Sequence, residues 1–195
     1  MGLVDRAKNI LLTPATEWAA IDAETTSIKD LYLSYVAILA AIPPVASAIG
    51  YSVFGMRFGF GAGTWRWPIS TGIEVAVMQY ALSLAGVFLV ALIVDALAPT
   101  FGGQKNQMQA LKVVAYANTA PWVAGIFALV PGLRILGILG LYGLYLLYLG
   151  LPVLMKAPKD KAVAYTVVTV VCAIVVYFVI GAVVAAFVAV PHYMG

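Results

Sequence analysis

From Ala162 to Val190 the chain carries no charged residue. No other feature limits its fold as much. Crossing the roughly 30 Å hydrocarbon core of a bilayer takes about 20 consecutive, mainly apolar residues, and this run is longer than that. Four more apolar runs precede it, at about Leu31–Phe54, Ile73–Leu97, Met108–Val130 and Leu133–Leu151. Inside lipid every backbone amide and carbonyl has to be bonded within the protein, which makes such runs helices. The expectation is an all-α polytopic membrane protein, a bundle of five transmembrane helices over residues 31–190. A cytoplasmic segment, residues 1–30, precedes it. Charged residues make up 10% of the chain and hydrophobic ones 64%, against about 25% charged in a soluble domain.

This setting excludes several functions. The net charge of +3 is spread along the chain rather than clustered on one basic face, so nucleic acid is not expected as a partner. Cys172 is the single cysteine and lies in an apolar run, as a small buried hydrophobe does. His192 stands alone near the C-terminus as a solvated residue, and no Cys, His or carboxylate cluster has metal-ligand spacing. No metal and no cofactor is expected. Glu74 and Asp95 lie at opposite ends of the second span, roughly 30 Å apart at 1.5 Å per residue. That is too far for paired acid-base work, so the chain is read as non-enzymatic. The first thirty residues, broken by Pro14, hold no apolar core of a cleavable signal.

Leu3–Leu12 has Leu3, Ala7, Ile10 and Leu11 on one helical face and suits a short amphipathic helix. It lies either on the membrane surface or on the protein's own cytoplasmic end. Thr13-Pro14 suits the start of another helix, and Trp18 is expected at headgroup level. Ser27-Ile28-Lys29-Asp30 has the form of a capping box opening the first span. Pro43 and Pro44 should kink that span, since proline removes an amide donor and crowds the preceding turn. Gly55–Ser70 is a glycine-rich aromatic loop without phosphate-binding spacing, and its Trp65 and Trp67 fit an interfacial belt.

The centre of the chain departs most from a plain anchor. Asp95 and the loop residues Gly102, Gly103, Lys105 and Asn106 lead into a third span that carries Tyr116, Asn118, Thr119 and Pro121. Pro131-Gly132 then turns the fourth span antiparallel beside it. There Gly137, Gly140 and Gly143 form a small-residue seam, and Tyr142, Tyr145 and Tyr148 repeat at the same interval. A buried amide needs a partner. Asn118, with Tyr142 or Tyr145, is therefore expected in a polar intramembrane cluster facing the interior near Pro43-Pro44.

Lys and Arg set the orientation. Arg6, Lys8, Lys29, Lys105, Lys112, Lys156, Lys159 and Lys161 fall on the side of the N-terminus, and Arg57, Arg66 and Arg134 on the other. By the positive-inside rule the N-terminus and the central loop are cytoplasmic and the C-terminus lies outside.

Several stretches together resemble the Yip (Ypt/Rab-interacting protein) family of membrane proteins, and its bacterial branch in particular. They are LTPATEW at 12–18, Asp30-Leu31-Tyr32, LAPTFGG at 97–103 followed by Gln104 and Lys105, AYANTAPW at 115–122 and LYLLYLGLP at 144–152. The resemblance implies a five-helix bundle in a bacterial inner membrane. For eukaryotic members it implies binding of Rab GTPases, although Leu33-Ser34 stands here where their motif continues with Gly-Pro. The reading that follows is a membrane scaffold or interaction protein. Its partners are the lipid bilayer, other membrane proteins or a homo-oligomer. The alternative is a small-solute or ion transporter or channel using the cluster around Asn118. A packed, dry interior favours the first, and a wet path to Asn118 favours the second.

Overall fold

The computed structural model describes residues 1–57 and 64–189; His192 and the middle of the Gly55–Ser70 loop lie outside them. Among the described residues four segments are long and apolar enough to cross a membrane: Ile28–Phe54, Ile69–Phe101, Pro131–Leu154 and Lys159–Phe187. These are the first, second, fourth and fifth spans. The third stretch is not one continuous helix. It runs as Gln107–Ala117, breaks at Asn118, resumes as Thr119–Ala124 and tightens into a 3-10 turn at Gly125–Leu129. Met56–Arg57 and Thr64–Trp65 form a minimal antiparallel pair on the first connection.

The first span begins as its sequence dictates. Ser27 Oγ accepts the Asp30 amide at 3.0 Å and donates to Asp30 Oδ2 at 2.6 Å. The helix is interrupted at Ala41 and restarts at Ile42, with Pro43 in the first turn, where a missing amide costs least. The third span closes on this break. A Cβ on Gly125 would lie 2.6 Å from Pro43 Cγ, and one on Gly50 would lie 2.2 Å from the Ala128 carbonyl. Only glycine fits at either contact.

The LAPTFGG turn joins three spans. Gly102 takes a left-handed φ of 74°, which glycine adopts without steric cost. That reversal lets the Gly103 amide reach Ala98 O at 2.8 Å and the Gln104 amide reach Met155 O at 2.8 Å. Asn106 Oδ1 then accepts the Gln109 amide at 3.1 Å and caps the third span. The second and fifth spans meet where the Tyr165 hydroxyl donates to Val94 O at 2.5 Å and its ring stacks on Phe101 at 4.9 Å.

The fourth span begins as an 11-residue 3-10 helix, Pro131–Leu141, before becoming α-helical at Tyr142–Leu154. With three residues per turn, positions i and i+3 eclipse one another. The three-residue recurrence of glycine is therefore a 3-10 signature over that stretch.

The N-terminal segment forms two helices, α1 (Leu3–Leu12) and α2 (Pro14–Ala23). They pack on the protein rather than lying free on the membrane. Trp18 does not face the lipid interface: it is fully buried within the protein, edge-on to Tyr116 at 6.3 Å. Gly150 makes room for it, since a Cβ there would lie 2.8 Å from the indole. Burial of so large an apolar ring outweighs the interfacial preference of tryptophan.

Candidate functional site

All five spans contribute to the wall of an intramembrane chamber of about 970 Å³, which is open at the side where Leu141, Ile174 and Phe178 are exposed. The helix breaks lie on its wall: Pro43 and Pro44 of the first span, and Asn118 and Pro121 of the third. On the fourth span Gly137, Gly140 and Gly143 line it together with Leu141, Leu144 and Leu147, and a Cβ on Gly140 would lie 3.0 Å from Pro121 Cα. A Cβ on Gly137 would meet nothing within 4 Å, so its side faces open space. Gly143 behaves differently: its Cβ would lie 2.7 Å from Ala117 O. That is the carbonyl deprived of its helical donor by Pro121, and glycine lets the fourth span close over it.

No charged side chain lines the chamber among the described residues. Its polar groups are few: Ser47, Gln79, Ser83, Asn118 and Thr169, with Tyr51, Trp67 and Tyr177 as aromatic wall. Asn118 Nδ2 donates to Val114 O at 2.8 Å, within its own helix, which leaves the side-chain carbonyl as an acceptor. Thr169 is wholly buried, and its hydroxyl has no hydrogen-bond partner among the described residues. One turn away Thr166 donates to Ala162 O at 2.7 Å. On another part of the wall Tyr51 packs against Trp67 at 4.6 Å, with the Arg134 guanidinium 4.2 Å from the Tyr51 ring centre.

The seven residues singled out in the third and fourth spans, six polar and Pro121, do not form one cluster. Asn118 and Pro121 line the chamber together with Pro43 and Pro44. Tyr116 and Thr119 pack against the first span: the Thr119 and Tyr35 hydroxyls are 2.7 Å apart, and the Tyr35 and Tyr116 rings 4.7 Å. Tyr142, Tyr145 and Tyr148 turn outward, with exposures of 37%, 48% and 37%. Tyr142 donates to Leu11 O at 3.0 Å, not to Asn118. The central loop is a structural turn, with Gly102 and Lys105 exposed. Asp95 faces inward, one carboxylate oxygen buried without a partner among the described residues.

A second polar centre was not anticipated from the sequence. Where α1 and α2 dock, the buried Arg6 is paired with the buried Glu17 and with Glu24, and its guanidinium lies 5.7 Å from the Tyr116 ring centre. Burial opposes the charge on Arg6. The hydrogen bond to Glu24 and the attraction of both carboxylates outweigh it, and the pKa sits above its ordinary value. Lys112 Nζ donates to Ile21 O at 2.9 Å and Glu24 O at 2.5 Å. Lys156 pairs with Asp22 at 2.6 Å. A signal was present: Arg6 shares a helical face with the apolar Ile10, and Glu17 with Ile21, so each charge sits on the side that must be buried.

Comparison with known proteins agrees with this architecture. The chain is 28% identical over 118 residues to inner membrane protein YohC of Escherichia coli K12, and equally to YohC of E. coli O6:H1. Each alignment covers 60% of this chain and 60% of the relative. No solved structure matches it. The Yip1 domain family matches residues 8–189, nearly the whole of this membrane-embedded bundle, and the chain belongs to that family of integral membrane proteins.

Proposed function

We propose that this chain is a non-enzymatic inner membrane protein that binds a small, mainly apolar molecule between its spans. It lies in the membrane with its N-terminus cytoplasmic and its C-terminus periplasmic. One observation carries the reading: a space of about 970 Å³ among the five spans reaches Asn118. Ligand sites have volumes of about 300–1,000 Å³, apolar walls and a few placed polar groups. Exposed lining residues such as Leu141 and Phe178 leave a way in from the side. An ion path would carry charged or closely spaced polar groups, and this wall carries neither.

The test uses purified protein in nanodiscs and an apolar photo-crosslinking probe, with peptide mapping of the adducts. Labelling is expected at chamber residues such as Ser47 and Gln79. Gly137→Phe, which projects into open space, should abolish it while the fold is kept. Adducts confined to lipid-facing residues would overturn the reading.

A scaffold or homo-oligomer role keeps one specific support. Only 6% of the most apolar stretch of the fifth span is buried, against 28–33% for the other three. This leaves a broad face for a second copy or another membrane protein. A single monomeric mass in several detergents would argue against it.

A further inference from the structure

We infer that the N-terminal helix pair is a re-entrant membrane element. It dips into the leaflet on its own side of the bilayer, returns without crossing, and turns its outward face to lipid acyl chains. This placement is independent of the chamber and of which side is cytoplasmic. Three observations converge. First, the contacts of α1 and α2 descend the third and fourth spans like a ladder. At the mouth, Asp22 pairs with Lys156 at 2.6 Å and accepts from Gln109 at 3.1 Å. Further in, Trp18 lies against Gly150 and Tyr116. Deepest of all, the Leu11 carbonyl accepts the Tyr142 hydroxyl at 3.0 Å. Tyr142 stands about 18 Å of α-helix in from Leu154, where its span ends on that side. The whole span is about 41 Å long and the hydrocarbon core roughly 30 Å thick, so about 11 Å of it protrudes. Even with all of that on the hairpin's side, Tyr142 lies about 7 Å inside the hydrocarbon. Its side chain tilts toward the helix N-terminus, which is deeper still.

Second, the outward face of α2 is composed for lipid. Glu17 turns inward to Arg6, whereas Ala15, Ala19, Ala20 and Ala23 are exposed. A helix washed by water is patterned the other way, with its charges outside. The charges exposed on α1, Asp5 and Lys8, lie toward the mouth, and a lysine stem carries its ammonium up to water. Third, the tip is closed on itself. The Thr13 hydroxyl and amide donate to Asn9 O at 3.1 and 2.7 Å, and the Thr16 hydroxyl donates to Thr13 O at 3.0 Å. Pro14 has no amide to satisfy. Polar groups in hydrocarbon have to be bonded in this internal way. Leu12, beside them, is 69% exposed, which lipid accommodates and water penalises.

The test reads depth. Leu12→Cys, Ala15→Cys and Ala23→Cys, each in a full chain with Cys172→Ala, carry a nitroxide label in nanodiscs. Collisions are measured with oxygen, which concentrates in lipid, and with a nickel chelate, which stays in water. Val171→Cys on the exposed side of the fifth span and Lys159→Cys in the last connector serve as references. At Leu12 and Ala15 nickel collisions should fall to the level at Val171, with oxygen collisions frequent, and nickel should return at Ala23. Nickel collisions at Leu12 and Ala15 as frequent as at Lys159 would put the hairpin in water and overturn the placement. Few collisions with either reagent would mean that protein, such as a second copy, covers the face, and would overturn lipid as the partner. Ala15→Asp checks the result without a label. In water an acid in the first turn of α2 favours the helix; in hydrocarbon it is costly. Hydrogen exchange over residues 3–23 in nanodiscs should therefore speed up in Ala15→Asp and stay as it is in Ala15→Leu. Slower or unchanged exchange in Ala15→Asp overturns the placement, and equal acceleration in both variants overturns the lipid-facing assignment of Ala15.

Discussion

Replacing Glu17 with Gln should release the N-terminal hairpin without unfolding the spans. The substitution keeps the volume and removes the charge that faces Arg6. Both side chains of the pair are almost wholly covered, at 6% and 7% exposure, whereas Glu24, the other partner of Arg6, is 43% exposed. Removing one partner of a buried ion pair costs about 3–5 kcal/mol. The remaining bond to Glu24 is partly screened by solvent and offsets only a fraction of that, so about 3 kcal/mol is expected. At 1.4 kcal/mol per factor of ten, undocking should become about 100-fold more frequent. Hydrogen exchange read by mass spectrometry should show faster exchange across residues 3–23, with the second and fifth spans unaffected. The double change Arg6→Met with Glu17→Leu removes both buried charges and should bring exchange back to within about tenfold of the unmodified chain. Unchanged exchange in Glu17→Gln would show that Trp18 and the apolar face hold the hairpin alone, and the ion-pair argument would fail.

Further outcomes follow from the same contacts. Gly143→Leu should lower stability by about 1–3 kcal/mol, because its Cβ would press on the Ala117 carbonyl. Gly137→Leu should be nearly neutral; melting temperatures in detergent that fail to rank the two this way would refute the seam. Gly102→Ala should cost about 1 kcal/mol, since a side chain is strained at the left-handed φ there, and Gly102→Asn should cost less. Thr169→Val should leave stability without ligand unchanged or raised, since it removes an unpaired buried hydroxyl; a clear loss in thermal melting would reveal a hidden partner. Topology reporters in the Gly102–Gln107 loop and after the fifth span should read on opposite sides of the membrane, and the same side for both would exclude the five-span arrangement.

Local chemistry was legible from the residues. The Ser27–Asp30 box, the break at Pro43-Pro44 and the closeness of the third and fourth spans each depend on a few neighbouring positions. What depends on long-range packing was not. Trp18 reads as interfacial by type, and only the gap at Gly150 shows why it is buried. Arg6 and Glu17 are eleven positions apart and meet only because α1 and α2 fold back. The chamber is legible least of all. A void is defined by what five separated segments fail to fill, and no periodicity records it. The tyrosine stripe shows the reverse error. A hydroxyl in an apolar span is expected to seek the interior, yet Tyr142 finds the Leu11 carbonyl on the outside.

The 3-10 stretch of the fourth span also sets its reach. Eleven residues at about 2.0 Å each and thirteen at 1.5 Å give about 41 Å. An α-helix needs about 27 residues to cover the same distance, so the tighter winding lets 24 residues do it. Rewinding Pro131–Leu141 as α-helix would shorten the span by about 5 Å, one full turn, and draw Gly137 and Gly140 along the chamber wall. Bilayer thickness acts on such a segment as a load acts on a spring, through the cost of hydrophobic mismatch. The volume open to a ligand should therefore differ between short-chain and long-chain lipid nanodiscs, and the fourth span is where the membrane would set it.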